Sequence, residues 1–173
     1  MKPLYIEATA SLPLVHFDLR KGVFHISGKS TDPGAGQFYA PLLRWIEKVS
    51  HVAIDELSFE FSMELLNIAS YKRILFLMYG LKDLQTKGAS VDIIWNYERH
   101  DRDMYLIGRD YADIIGSIPF RYCECRAFAQ MEMKKAGWEM IYSDKIATNY
   151  TPQRYLPCGF VLLSMGDSGK SNF

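Results

Sequence analysis

The stretch MELLNIASYKRILFLMYG, Met63 to Gly80, changes its period in mid-course. From Glu56 onward the residues alternate, with Leu57, Phe59, Phe61, Met63 and Leu65 on one side and Glu56, Ser58, Glu60, Ser62 and Glu64 on the other. A period of two is that of a strand with one buried and one polar face. After Asn67 the apolar residues recur as Ile74, Leu77, Met78, Leu81 and Leu84, the spacing of one helix face, until Lys87-Gly88 supplies a C-cap. NIASYK, 67 to 72, is therefore a strand-to-helix junction. Ser70 and Asn67 compete there as N-cap, with capping the preferred role for Ser70.

The flanking segments extend this pattern. LYIEAT, LVHFDL and VFHISG read as three short strands, the last two joined by a turn at Lys21-Gly22. QFYAPLLRWIEKVS carries Phe38, Leu42, Leu43, Ile46 and Val49 at helical spacing, with Pro41 in the first turn, where it is tolerated. Beyond the central helix, SVDIIWNYE alternates again. RHDRDMYLIGRDYADIIG follows with a stripe of Met104, Ile107, Tyr111, Ile114 and Ile115, and then comes the strand FRYCECRA.

The order β-β-β-α-β-α-β-α-β predicts an α+β fold with a single mixed sheet. Strands joined through helices run parallel, and the helices pack on the sheet. Residues 1–125 form the expected domain. Residues 126–173 are a C-terminal extension in which FAQMEMKKAGW suggests a short helix and GFVLLSM a strand.

Composition narrows the function classes. The 173 residues are 49% hydrophobic, enough for a sizeable core, and 20 basic residues balance 20 acidic ones. No overall field draws such a chain to nucleic acid or an anionic membrane, so protein or small-molecule partners are expected. The segment MKPLYIEATASLP lacks the apolar run of a signal peptide, and no stretch approaches the ~20 residues of a membrane span. Three cysteines, Cys123, Cys125 and Cys158, make no disulfide framework, and a cytoplasmic location is expected.

Several motifs invite chemistry and fall short of it. The tail FVLLSMGDSGKSNF imitates a phosphate-binding loop, but Ser164 replaces its first glycine and no helix follows. Cys123 and Cys125 share a strand face and could hold zinc with Cys158 or His100, yet no second close pair follows. Glu98, Asp101, Asp103 and Asp110 suggest calcium or acid-base work. The calcium pattern is broken at Tyr105, and Asp101 and Asp103 suit a helix cap and first turn. His16, His25, His51 and His100 are scattered, and no nucleophile has a recognisable elbow. No cofactor is expected. The rival functional class is a metal-dependent enzyme or ligand binder using Glu98, Asp101 and Asp103.

Taken in order, LYIEAT, FDLRKGVFHISGKS, FYAPLLRWIEKV, the junction at Asn67 to Lys72 and WNYERHDRDMYLIGRDYADII resemble the SiaC family of bacterial regulatory phosphoproteins, over about residues 4 to 122. The layout also resembles that of anti-sigma-factor antagonists. The family resemblance implies a non-enzymatic partner-switching protein of biofilm and cyclic di-GMP signalling. Its partners would be a kinase, a PP2C-like phosphatase and a diguanylate cyclase, which the unphosphorylated form stimulates. The family's phosphoacceptor is a threonine in an Asn-Thr-Ser-Ser-Ser-Lys segment. Asn67, Ser70 and Lys72 match that segment, and Ile68 falls on the threonine. Isoleucine has no hydroxyl, so the resemblance implies a switch held in its unphosphorylated state. Ser70 and Tyr71 are the possible substitute acceptors, and Asn67, Ile68, Ser70 and Lys72 the partner-binding residues. A degenerate paralog acting as an inert competitor is the third expectation. The family's third helix is acidic where this chain carries Leu106 and Arg109.

Overall fold

The computed structural model describes residues 1–125. The C-terminal extension, with its suggested helix and strand, Cys158 and the Gly-Lys-Ser tail, lies outside the described residues. The elements are β1 (Leu4–Ile6), β2 (Leu14–Asp18), β3 (Val23–Ser30), α1 (Ala35–Val49), β4 (Glu56–Leu66), α2 (Ile68–Thr86), β5 (Ser90–Glu98), α3 (Arg102–Ile115) and β6 (Phe120–Cys125). They form one mixed sheet in the order β1-β2-β3-β4-β5-β6, antiparallel up to β3 and parallel from β3 to β6. The expected order and fold class are those observed. Each of the three helical crossovers steps one strand in the same direction, so right-handed connections lay all three helices on one face. Among the described residues no helix is long and apolar enough to cross a membrane.

The helix-covered face carries the core. Across β2 to β5, Val15, Ile26, Phe61 and Trp95 stand in one register row, and each is 0% exposed. Ile74, Leu77, Met78, Leu81 and Leu84 of α2 pack against this face, as their spacing predicts. Each such side chain contributes about 1.5–3 kcal/mol through burial. Trp95 is the largest fully buried side chain among the described residues, and its indole N–H donates to the Met104 carbonyl at 3.0 Å.

The structure corrects three details of the sequence reading. Leu65 is 53% exposed, because the β3–β4 register shifts between Gly28 and Lys29: Gly28 faces Met63 and Lys29 faces Leu65. Glu64 is thus the extra residue of a bulge, alternation inverts beyond it, and Leu66 turns to the core in place of Leu65. Pro41 lies inside α1, whose start at Ala35 precedes the expected one, so the helix forgoes one backbone hydrogen bond there. The buried stripe of α3 is Met104, Gly108, Tyr111 and Ile115, while Ile114 is exposed.

The other face of the sheet is polar, yet Ser58, Ser62 and Asn96 on it are buried. The Asn96 amide donates to Glu60 at 2.6 Å and to Ser62 at 2.8 Å, and Glu60 lies 3.4 Å from His25 Nδ1. Burial acts to raise the Glu60 carboxyl, but the hydrogen bond and charge of His25 and the Asn96 amide outweigh it and hold it below its ordinary value. A depressed folded-state value stabilises the fold above the unfolded-state value and is lost as pH falls through the folded one. Glu60→Gln is therefore expected to flatten the fall in urea midpoint below about pH 4 while leaving the slope above about pH 5 unchanged.

Candidate functional site

The junction between β4 and α2 is built around Asn67, whose polar groups are all engaged. Its backbone N–H donates to the Ser30 carbonyl at 3.0 Å, and its own carbonyl accepts from Tyr71 N–H at 2.9 Å. Its side-chain oxygen accepts from Ser70 N–H at 2.8 Å, and its amide donates to the Asp32 carbonyl at 3.2 Å. Asn67 is thus the N-cap of α2, and Ser70, expected as a cap, is not. Parallel pairing explains the contact with β3, because Ser30 lies beside Leu66 and the next residue reaches its carbonyl.

Ser70 belongs to the core. It is 0% exposed, and its hydroxyl accepts from Ser30 Oγ at 2.8 Å. Ser30 Oγ also lies 2.9 Å from the Tyr39 hydroxyl of α1, whose pKa burial pushes up to about 12 against the lowering effect of the Ser30 hydrogen bond. The three hydroxyls form a buried chain tying the end of β3 to both helices. Tyr71 is half-buried, stacked on the Tyr111 ring with centroids 4.5 Å apart, and Tyr111 donates its hydroxyl to the Tyr71 carbonyl. Asn67→Ala is expected to cost about 1 kcal/mol of stability, the usual loss for an N-cap, with Asn67→Ser retaining most of it in denaturant unfolding.

Ile68 is the first residue of α2 and is 77% exposed. It opens on a cleft of about 640 Å³ between the start of α2 and the start of α1, which also includes Pro33, Gly36, Lys72, Arg73 and Phe76. The structure therefore brings Ile68 and Lys72 together and keeps the Ser70 hydroxyl in the core. The sequence reading missed Arg73 and Phe76, although Phe76 is eight residues from Ile68 and so on the same helix side. It also missed the role of Ser30, the last residue of ISGKS.

The rival set is arranged otherwise. Asp101 caps α3, accepting from Met104 N–H at 2.9 Å, and Asp103 sits in the first turn. Burial pushes the Cys123 thiol up to about 11, with Glu60 adding to it, and burial does the same for Cys125. Such raised thiols are poor nucleophiles. Among the described residues no three His, Cys, Asp or Glu side chains converge as a metal-holding group.

The family model for SiaC family regulatory phosphoproteins matches residues 6–125. The chain belongs to the SiaC family. That match ends where β6 ends. A curated relative, an uncharacterized protein of Pseudomonas aeruginosa (strain UCBPP-PA14), is 22% identical over 120 residues, which are 69% of this chain and 94% of the relative. Apo-SiaC from Pseudomonas aeruginosa superposes with a TM-score of 0.66 at 21% identity, over 70% of this chain and 98% of the other. SiaC in the crystal structure of the diguanylate cyclase SiaD with its activator SiaC, from the same species, gives a TM-score of 0.66 at 20% identity, over 70% and 99%. These likenesses establish the SiaC fold for the described residues.

Proposed function

We infer that this SiaC-family protein is a non-enzymatic regulator that docks on a diguanylate cyclase through the β4–α2 junction, in a state fixed by Ile68. The family assignment supports a regulatory role, and SiaC of Pseudomonas aeruginosa is described as the activator of the cyclase SiaD. The observation that carries the proposal is the placement of Ile68, an exposed apolar side chain at the first position of α2 where the family resemblance expects a phosphorylated threonine. A phosphoryl group there would add about −1.5 to −2 charge, stabilised by the free N–H groups of the helix start, and would change the docking surface. Isoleucine cannot take it.

Neither substitute acceptor suits a kinase. Ser70 is buried within a chain of hydroxyls, and Tyr71 is stacked on Tyr111. In this reading the family kinase and its PP2C-like phosphatase have no substrate at the junction. The test is to incubate the purified protein with a SiaC-family kinase and with a SiaD-type diguanylate cyclase. The proposal predicts a complex with the cyclase and no phosphate on residues 67–72 by mass spectrometry. Phosphate on Ser70 or Tyr71 would overturn the fixed state, and the absence of any cyclase complex would overturn the docking.

A further inference from the structure

α2 is apolar on two opposite sides. One side, with Ile74, Leu77, Met78 and Leu81, is fully used by the core. On the other, Ile68, Phe76 and Tyr79 are exposed at 77%, 49% and 42%, at offsets of eight and eleven residues from Ile68 that keep them in one stripe. Lys72 lies within that stripe, four residues from both Ile68 and Phe76. Single exposed apolar residues need no explanation, whereas a contiguous stripe beside a cleft marks an interaction surface.

The charge of the cleft is equally one-sided. Among the described residues its lining carries Lys72 and Arg73 and no carboxylate. Among the described residues neither cation has an acidic partner within ion-pair distance. Arg73 is held in place without one, its guanidinium 5.9 Å from the centre of the Phe76 ring and packed so closely on Gly36 that a methyl group there would lie 3.0 Å from Nη2. Gly36 thus leaves the space that the guanidinium occupies at the mouth of the cleft.

Resting on the docking proposed above, we propose that the occupant of this cleft is an acidic amphipathic segment of the partner protein, with carboxylates against Lys72 and Arg73 and apolar side chains against Ile68 and Phe76. The apolar stripe supplies the buried contact area, and the two cations, without an acidic partner among the described residues, select sign and register. The same geometry explains how a negative charge at position 68 would act. It would sit one helical turn before Lys72, the favoured spacing for an ion pair, and would take that cation from the partner's carboxylate.

The test measures the affinity of the full chain for a SiaD-type diguanylate cyclase, at low and at moderate salt. Lys72→Glu is compared with Lys48→Glu, which makes the same change in net charge at the far end of α1. The proposal predicts at least tenfold weaker binding for Lys72→Glu, a salt dependence that shrinks with it, and near wild-type binding for Lys48→Glu. Equal behaviour of the two variants, with wild-type binding intact, would overturn the acidic segment and leave the docking reading standing. Absence of wild-type binding would overturn both. Self-association of the chain that Lys72→Glu abolishes would assign the cleft to a second copy and also overturn the proposal.

Discussion

Trp95→Ala is expected to destabilise the domain by about 3–5 kcal/mol, the range for removing a large aromatic side chain from a core. The indole of Trp95 is 0% exposed at the centre of β5, with ring centroids 5.7 Å from Phe61 and 5.4 Å from Tyr111. Its loss removes these contacts and also leaves the Met104 carbonyl of α3 without its indole donor. α3 packs directly on this ring at Gly108, so its loss also takes away the surface on which the helix rests. A methyl group at Gly108 would come within 2.5 Å of the Trp95 ring, which is rigid and enclosed. Gly108→Ala is thus expected to cost about 1–3 kcal/mol as overpacking, despite the better helix propensity of alanine. Equilibrium urea unfolding of the two variants would check both values. A Gly108→Ala protein as stable as wild type would show that α3 can lift off β5 freely.

Ile68→Asp is expected to weaken cyclase binding at least tenfold without destabilising the fold. Ile68 makes little use of its apolar surface within the chain, since 77% of it is exposed. An aspartate at the first helical position is favoured by the helix dipole by about 0.3–1 kcal/mol, and its distance from Lys72 suits an ion pair. In the proposed docking the substitution removes an apolar contact to the partner and engages Lys72, one of the two cations of the cleft. A tenfold loss corresponds to about 1.4 kcal/mol, well within the effect of one well-placed interface side chain. Calorimetric titration and thermal unfolding of the same sample separate the two effects. Lower stability in Ile68→Asp would mean that the side chain has a structural role that its exposure does not show.

Much of the fold is legible because the periods are clean. The alternation from Leu57 to Met63 and the stripe from Ile74 to Leu84 lie where the pattern puts them. The departures have local causes. The bulge at Glu64 depends on how β3 and β4 pair, which no pattern within β4 reveals, and it exchanges Leu65 for Leu66 at the core. Alternation implied that Ser58 and Ser62 face solvent, but polar side chains can be buried wherever their hydrogen bonds are met, as Asn96 meets that of Ser62.

At the junction, family resemblance directs attention to residues 67–72 as a candidate site, and the way that segment is built was not legible. Ser70 lies four residues before Ile74 and so on the buried stripe, but its hydroxyl suggested a cap or an acceptor. Its partners Ser30 and Tyr39 come from another strand and another helix, beyond the reach of local spacing. The cleft likewise depends on the approach of α1 to α2, where Gly36 and Arg73 meet.

In the proposed function, Ile68 fixes this protein in a partner-binding state that a kinase cannot end. This is tested by the rate of cyclic di-GMP synthesis by a SiaD-type diguanylate cyclase with the wild-type protein added, before and after treatment with a SiaC-family kinase and ATP. Ile68→Thr is carried through the same treatment to show that the kinase is active. Equal stimulation by wild type before and after treatment is expected, together with stimulation by Ile68→Thr that is lost once the threonine is phosphorylated. Loss of wild-type stimulation after kinase treatment, or no stimulation at the outset, would contradict it.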